Sequence, residues 1–205
     1  VKTGFNTSEG VVIDYVDPAN LVYSYTESPY FEDIYYVGEV KTIPVNELAK
    51  QFPHLTHEDL EEIVKNKSTY SGNSYSSNTS REVDNNSVQI LYFNFKSYMN
   101  EVYKVKETGS GADKAIEKED TFNPPVDKEG GYEKLHRSIE CLYEGVMVLG
   151  TEKLLKWEMA KNMMRPKSDF TKVKMNYAIS APRMYEGRIE SLVGRITGFA
   201  DMIQL

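Results

Sequence analysis

Apolar and polar residues alternate in several short stretches near the start of the chain. Val11–Val16 and Leu21–Tyr25 flank an Asp-Pro pair, and Ile34–Lys41 is an aromatic and β-branched run between polar turns. Alternation with a period of two is typical of strands, and Asp-Pro is typical of a turn. We therefore predict three strands in this region and a polar loop over residues 1–10 before them.

The pattern changes to helical spacing after the third strand. Pro44 stands where helices begin, and Pro53 stands where the first helix would end. Thr56 followed by Asp59 is typical of a capping box that opens a second helix. The apolar positions of both helices recur three or four residues apart: Val45, Leu48, Phe52, Leu60, Ile63 and Val64.

Residues 67–87 are dominated by Ser and Asn and contain few apolar side chains. Such a segment buries too little surface to offset the entropy cost of ordering it. We predict a flexible linker here and place the main domain boundary in it. Residues 1–66 then form one segment and residues 88–180 another, with residues 181–205 as a third.

The segment after the linker begins with strand patterns. Val88–Phe95 is strongly strand-like and Glu101–Lys106 alternates, so we predict that the two pair through a turn at Ser97–Asn100. Residues 107–133 are acidic and contain repeated Gly and Pro. This composition predicts a long loop, with a helical turn near Ala112–Lys118.

The last third of the chain contains both strand-like alternation and helical spacing of apolar residues. Ser138–Leu149 and Lys172–Ile179 read as strands, whereas residues 152–160 fit either a helix or a hairpin strand over Leu154–Met159. Arg183–Leu205 has apolar residues at helical spacing. Together these patterns predict an α+β fold of antiparallel strands with short helices, followed by a C-terminal amphipathic helix.

The charge of the chain is negative but uneven. The net charge is −7, residues 1–66 hold 12 acidic and 4 basic residues, and residues 152–195 hold 5 acidic and 10 basic residues. An acidic protein does not hold DNA by counter-ion release, because that requires clustered Lys and Arg. The basic stretch either contacts phosphate or an acidic partner or forms a solvated face.

One short motif suggests metal chemistry. Glu39 and Lys41 fall on the same face of a predicted strand, and Asp17 or Asp33 lies upstream. Metal-dependent nucleases use two carboxylates to hold Mg²⁺ and a Lys to steady the attacking water. The turn-rich residues before this strand do not match the rest of such a site. A nuclease is therefore the weakest of the functions that we consider for this chain.

Other reactive residue types stand alone. His54 and His57 flank a predicted helix start without a third ligand nearby, which favours a surface turn over a metal site. Cys141 is the only cysteine, so no intrachain disulfide forms, and its alternating flanks predict a buried side chain. No apolar run reaches the roughly 18 residues of a membrane span. The sequence predicts no catalytic residue, metal or cofactor.

The order of motifs carries a resemblance. Asp17-Pro18, the strand Leu21–Tyr23, an acidic turn, the strand Ile34–Val40 and the helix opened by Pro44 follow one another. This order resembles the wing segment of the portal proteins of tailed bacteriophages, and it is most similar to the portals of crAss-like gut phages. The resemblance favours the hairpin strand for residues 154–159.

The resemblance continues after the linker. Tyr143–Gly150, Leu154–Trp157 and Asn162–Pro166 are similar to the clip hairpin of these portals. Ser180–Leu192 is similar to the approach to the long helix that lines their tunnel. The resemblance therefore names the segments: wing-like over residues 1–66, clip-like over residues 88–180, and the start of a stem or tunnel helix over residues 181–205.

A portal is a structural ring at one capsid vertex. The resemblance implies a non-enzymatic subunit of a channel for DNA packaging and ejection and of the head–tail junction. The chain begins at Val1 rather than Met and ends inside a predicted helix, so we expect it to be a piece of a longer protein. The resemblance implies a homo-oligomeric ring in that full-length protein, with terminase, head–tail adaptor, capsid protein and double-stranded DNA as partners and no membrane. The expected location is the virion, assembled in the host bacterial cytoplasm. The alternative function is a phage tail or host-surface binding module that uses exposed Tyr.

Three arginines are the candidate site residues. Arg183, Arg188 and Arg195 lie in the basic stretch and on the predicted final helix. Arg188 and Arg195 are seven residues apart, which places them on one helix face. We expect contacts with DNA or with neighbouring subunits; ordinary solvent exposure is the competing interpretation.

Overall fold

The computed structural model describes residues 1–66, 86–107, 113–123, 132–151 and 153–204. Its strands are β1 (Lys2–Asn6), β2 (Gly10–Asp14), β3 (Leu21–Tyr23), β4 (Tyr36–Pro44), β5 (Ser87–Glu107), β6 (Asp113–Lys118), β7 (Tyr132–Val148), β8 (Leu154–Met159), β9 (Met184–Tyr185) and β10 (Arg188–Ile189). Its helices are α1 (Val45–Gln51), α2 (His57–Lys65) and α3 (Leu192–Gln204). Antiparallel sheets with short helices and a C-terminal helix confirm the predicted α+β class.

One antiparallel sheet crosses the predicted domain boundary. Its strands follow the order β3-β4-β5-β7-β8, and β6 pairs with the far half of β5. β4 and β5 pair continuously from Tyr36 opposite Phe95 to Pro44 opposite Ser87. The predicted segments 1–66 and 88–180 therefore share a sheet. Ser87, the last residue of the predicted linker, is the first residue of β5. The rest of the predicted linker, residues 67–85, lies outside the described residues.

β5 is a single strand of 21 residues, about 70 Å long. The predicted turn at Ser97–Asn100 is wrong, because β5 runs through these residues and pairs with Ser138–Cys141 of β7. No Gly or Pro interrupts this stretch. The distant segment that pairs with it decides its conformation, and local alternation cannot show which segment that is.

The predicted long loop over residues 107–133 also contains strands. Asp113–Lys118 forms β6 against Val102–Glu107 of β5, so the predicted helical turn near Ala112–Lys118 is wrong. β7 begins at Tyr132 rather than near Ser138. The edge of a long strand supplies hydrogen-bond partners that draw neighbouring segments into the sheet.

The two short helices form as predicted. α1 begins after Pro44, and α2 is capped by Thr56, whose side chain accepts from the Asp59 backbone while Asp59 accepts in return. The Asp59 carboxylate lies 2.6 Å from the Lys153 ammonium group, which ties α2 to the turn before β8. The buried cluster under these helices consists of Ile43, Leu48, Ile63, Val88, Ile90, Val146, Val148 and Leu155.

The N-terminal hairpin and the irregular segment around Val173–Ala181 pack near the other end of the sheet. The predicted loop over residues 1–10 is wrong: β1 and β2 form a hairpin, and the Thr3 amide donates to the Asn176 carbonyl at 2.7 Å. The predicted strand Lys172–Ile179 is also wrong, since it makes only isolated bridges at Lys174 and Tyr177. The second buried cluster consists of Val16, Phe31, Ile34, Val37, Leu142, Ala160, Val173, Met175, Tyr177 and Ala181.

The C-terminal segment is shorter in helix than predicted. β9 and β10 form a small hairpin through Glu186 and Gly187, whose φ angles of 48° and 72° are left-handed. A left-handed pair cannot continue a right-handed helix, so α3 begins only at Leu192. The prediction of one helix over Arg183–Leu205 is therefore wrong in its first third.

Candidate functional site

One face of the sheet carries a lattice of aromatic residues. Residues directly opposite one another in a sheet point to the same face, so the register defines two rows. The rows, which we call the aromatic face, are Tyr36, Phe95, Tyr143 and Met159 in one, and Gly38, Phe93, Gly145 and Trp157 in the other. This face brings together side chains from four strands that lie far apart in sequence.

Trp157 lies at the centre of the ring contacts. Its indole stacks on the Tyr143 ring with centroids 5.1 Å apart and planes within 6°. The rings of Phe93 and Phe95 lie 5.9 and 6.2 Å away. Despite these contacts, Trp157 keeps 46% of its surface exposed. The cluster is ordered by its own packing and still open to solvent.

Two glycines shape the aromatic face. A Cβ on Gly145 would lie 2.3 Å from the Phe93 ring, and a Cβ on Gly38 would lie 2.7 Å from the Tyr92 carbonyl oxygen. The tip of the Phe93 ring therefore lies close to the backbone of β7 at Gly145. The space beside it is a shallow apolar hollow of about 250 Å³ lined by Val22, Tyr36, Gly38, Leu91, Phe93, Phe95 and Met147.

The aromatic face lies outside both buried clusters of the described residues, and its most exposed members are Trp157 and Met159. None of its ring-bearing members belongs to either of the two buried clusters. The opposite side of the same strands, which we call the covered face, includes Val37, Ile90, Val146 and Val148, and all four are buried. Large apolar patches are rare on the surfaces of monomeric proteins and usually mark interaction sites.

Glu39 and Lys41 of the nuclease hypothesis lie on the covered face. Glu39 is 3% exposed, and its Oε1 lies 3.0 Å from the Lys41 ammonium group and 3.7 Å from that of Lys2. The structure thus brings Glu39 and Lys41 together, as predicted from strand alternation. The carboxylate is paired with two cations from its own chain.

The upstream carboxylates have other partners. Asp17 accepts from the Ala19 amide at the start of a 3-10 turn, and Asp33 accepts from the Thr26 hydroxyl. Among the described residues, no three His, Cys, Asp or Glu side chains come together in a way that would hold a metal ion. The geometry therefore offers no support to the nuclease hypothesis.

A buried tyrosine lies next to this ion-pair cluster. Burial raises the pKa of Tyr177, and the negative charges of Glu39 and Glu144 raise it further. The Lys2 ammonium group lies over the rings of Tyr92 and Tyr177, at 5.8 and 5.5 Å from their centroids. These contacts fasten the N-terminal hairpin onto the covered face, which is a structural role.

The histidines and the cysteine occupy simple positions. His54 and His57 are exposed, and His57 lies 3.4 Å from Glu61 one turn further along α2. Cys141 is fully buried, which confirms its prediction, and burial raises the pKa of its thiol. A buried thiol with a raised pKa is a poor nucleophile.

The three candidate arginines do not share one helix. Arg183 and Arg188 are exposed on either side of the β9–β10 turn. Only Arg195 lies in α3, and its side chain is outside the described part of the structure. The predicted common helix face of Arg188 and Arg195 is therefore wrong, because Arg188 belongs to β10.

Comparison of the sequence with models of protein families and with curated proteins finds no match. None of the helices among the described residues is long and apolar enough to span a membrane. The site must therefore be interpreted from its own geometry. The sequence patterns did not reveal the aromatic face, since its residues are distributed over four strands whose register no single segment contains.

Proposed function

We propose that this chain is a structural, non-catalytic part of a portal subunit of a tailed phage, and that its aromatic face packs against another protein chain. The observation that carries the assembly role is the uncovered apolar face around Trp157. Burying apolar surface stabilises an association by roughly 25 cal/mol per Å². An ordered aromatic surface offers this stabilisation at a small entropy cost.

The portal identity rests on the order of motifs. The structure contains a strand before Asp17-Pro18, the strand β4, a helix after Pro44 and a hairpin of β7 and β8. We take this order as support for the resemblance to the wing and clip segments of portal proteins. A portal subunit works through contacts with its own copies, capsid protein, terminase and head–tail adaptor. Its location would be the virion, after assembly in the host bacterial cytoplasm.

The charge distribution suits this role. The net charge of −7 disfavours tight binding of DNA along the whole chain, as a channel for moving DNA requires. Arg183 and Arg188 are exposed and are our candidates for contact with DNA or with a neighbouring subunit. Arg195 remains a candidate on its position in the basic stretch.

Exposed aromatics also favour a second function. A phage tail or host-surface binding module would present side chains such as Tyr35, Tyr98 and Trp157, and all three are exposed. Aromatic rings stack on ligands of several classes. The two functions differ in what covers the aromatic face: a phage structural protein in the first, and a molecule of the host surface in the second.

Electron microscopy of the full-length protein tests the portal proposal. We expect closed rings with a central hole, and single particles without a ring would contradict it. Replacing Arg188 and Arg195 with Glu in the complete protein should impair ring assembly or DNA packaging. Unchanged rings and unchanged packaging in that double variant would remove both arginines from the proposal.

A further inference from the structure

A second uncovered apolar surface lies on α3. Successive residues of a helix are 100° apart, which places Val193, Ile196, Phe199 and Ile203 within one stripe about 120° wide. Each of these four side chains is more than half exposed, and Ile203 reaches 84%. We call these four residues the α3 stripe.

The rest of the helix differs from the α3 stripe. The opposite side carries Gly194, Gly198 and Asp201, which offer little apolar surface. An isolated helix of 13 residues is marginally stable in water, because nucleation is costly and packing normally supplies most of the stability. The helix therefore needs a partner surface for its apolar stripe.

We propose that the α3 stripe of one copy packs on the aromatic face of a second copy. This inference rests on the proposed role of the aromatic face as an assembly surface and names its occupant. Each copy has one of each surface. Within the described chain, Trp157 and Met159 of the aromatic face and all four residues of the α3 stripe are exposed.

The two surfaces match in size. The 13 residues of α3 span about 20 Å. The strands β4, β5, β7 and β8 lie about 4.8 Å apart, so the aromatic face is roughly 15–20 Å wide. A helix laid across the strands covers both rows and can place Phe199 or Ile196 over the hollow beside Phe93.

The two surfaces also match in charge. The rows of the aromatic face contain no charged residue, and the α3 stripe contains none. Copies that each carry a net charge of −7 repel one another at long range, so an uncharged contact is the favourable place for them to meet. Salt should strengthen the contact by screening the remaining repulsion.

The contact has a definite symmetry. Two different patches meet, so the interface is heterologous and each copy can bind one neighbour on either side. One helix stripe provides less than the ~800 Å² per partner of a standard stable interface. We therefore expect weak association of this chain alone, with a larger gain where a ring lets every copy make the contact twice.

A complementation experiment tests the inference. The helix variant is Ile203→Glu, which leaves the aromatic face intact. The face variant combines Met159→Glu with Trp157→Phe, which leaves the α3 stripe intact and removes the only tryptophan. In a mixture, Trp157 of the helix variant then reports only on the covering of its own aromatic face. Ile13→Glu, at a residue that is 67% exposed on β2 and outside both surfaces, is the matched control.

Sedimentation and fluorescence at increasing concentration give the readouts. We expect weak association of the wild-type chain with a blue shift of Trp157 emission. Each variant alone should raise the dissociation constant roughly tenfold or more, and the control should leave it unchanged. The equimolar mixture should form heterodimers and regain the blue shift. Circular dichroism checks that each variant is folded, and Phe199→Glu serves as a second helix variant.

The contrary outcomes separate the two proposals. If the face variant abolishes association and the helix variants do not, another surface covers the aromatic face and this inference is overturned, while the assembly role stands. A mixture without a blue shift also overturns it, because α3 then does not supply the cover. Rings of the full-length protein that persist with Ile203→Glu and Phe199→Glu would contradict it even where the portal proposal holds.

Discussion

The two faces of the central sheet are built from the same strands and have different surroundings. On the covered face, Ile90 and Val148 are fully buried under α1, α2 and their neighbours. On the aromatic face, Phe93, Phe95 and Tyr143 are partly buried, and the ring of each contacts Trp157. One face therefore holds the fold together, whereas the other presents Trp157 and Met159 to a partner.

Two leucines of the same sheet separate these roles most strongly. Leu142 on the covered face is fully buried, and Leu154 lies opposite Met147 on the aromatic side with half of its surface exposed. Leu142→Ala should lower the free energy of unfolding by about 2–5 kcal/mol, because it leaves a cavity. Leu154→Ala should change it by about 0.5 kcal/mol or less. Urea denaturation measures the free energy of unfolding of both variants. Similar losses at the two sites would show that the two faces do not differ in their contribution to stability.

Gly145 gives the next largest effect. Gly145→Ala would force the Phe93 ring to move, since its Cβ would lie 2.3 Å from that ring. We expect a loss of about 1–3 kcal/mol in the free energy of unfolding. Gly4→Ala is the matched control, because nothing lies within 4 Å of its Cβ. If Gly145→Ala is as mild as the control, Phe93 does not pack over β7 as described.

Acid should weaken the contact between Asp59 of α2 and Lys153 in the turn before β8. The hydrogen bond from Lys153 holds the pKa of Asp59 well below its usual range, with the Thr56 cap contributing further. A carboxyl with a lowered pKa in the folded state stabilises it above its unfolded pKa, and this stabilisation is lost as the pH falls below about 4. Unfolding followed by fluorescence at pH 7 and pH 3 should therefore show a smaller pH dependence for Asp59→Asn than for the wild type. An unchanged pH dependence would show that the Lys153 contact does not anchor α2.

The sequence predicted the elements whose signals are local. The capping box at Thr56 is an example, and it is present in the structure. The local pattern of residues 152–160 fitted a helix as well as a strand, and only the resemblance favoured the strand that Leu154–Met159 forms. Prediction from the sequence failed where a distant segment decides the conformation, as at Ser97–Asn100 inside β5 and at Asp113–Lys118 in β6. Period-two alternation is the same for a hairpin and for one long strand, so only the partner strand distinguishes them.

The site could be predicted only in part. Alternation correctly placed Glu39 and Lys41 on one face, but it could not show that Lys2 reaches the same carboxylate from the other end of the chain. The aromatic face needed the register of four strands, which no single segment contains. The prediction that Arg188 and Arg195 share a helix face failed because the left-handed turn at Gly187 ends any helix that starts before it.

Hydroxyl-radical footprinting read by mass spectrometry tests whether the aromatic face becomes covered when the protein assembles. It measures side-chain exposure at single residues in the isolated chain and in the assembled full-length protein. We predict that Trp157 and Met159 react rapidly in the isolated chain and become protected on assembly, whereas the buried Met175 of the second cluster is protected in both. Equal labelling of Trp157 and Met159 before and after assembly would show that the aromatic face stays open. It would contradict the proposal that this face packs against another protein chain.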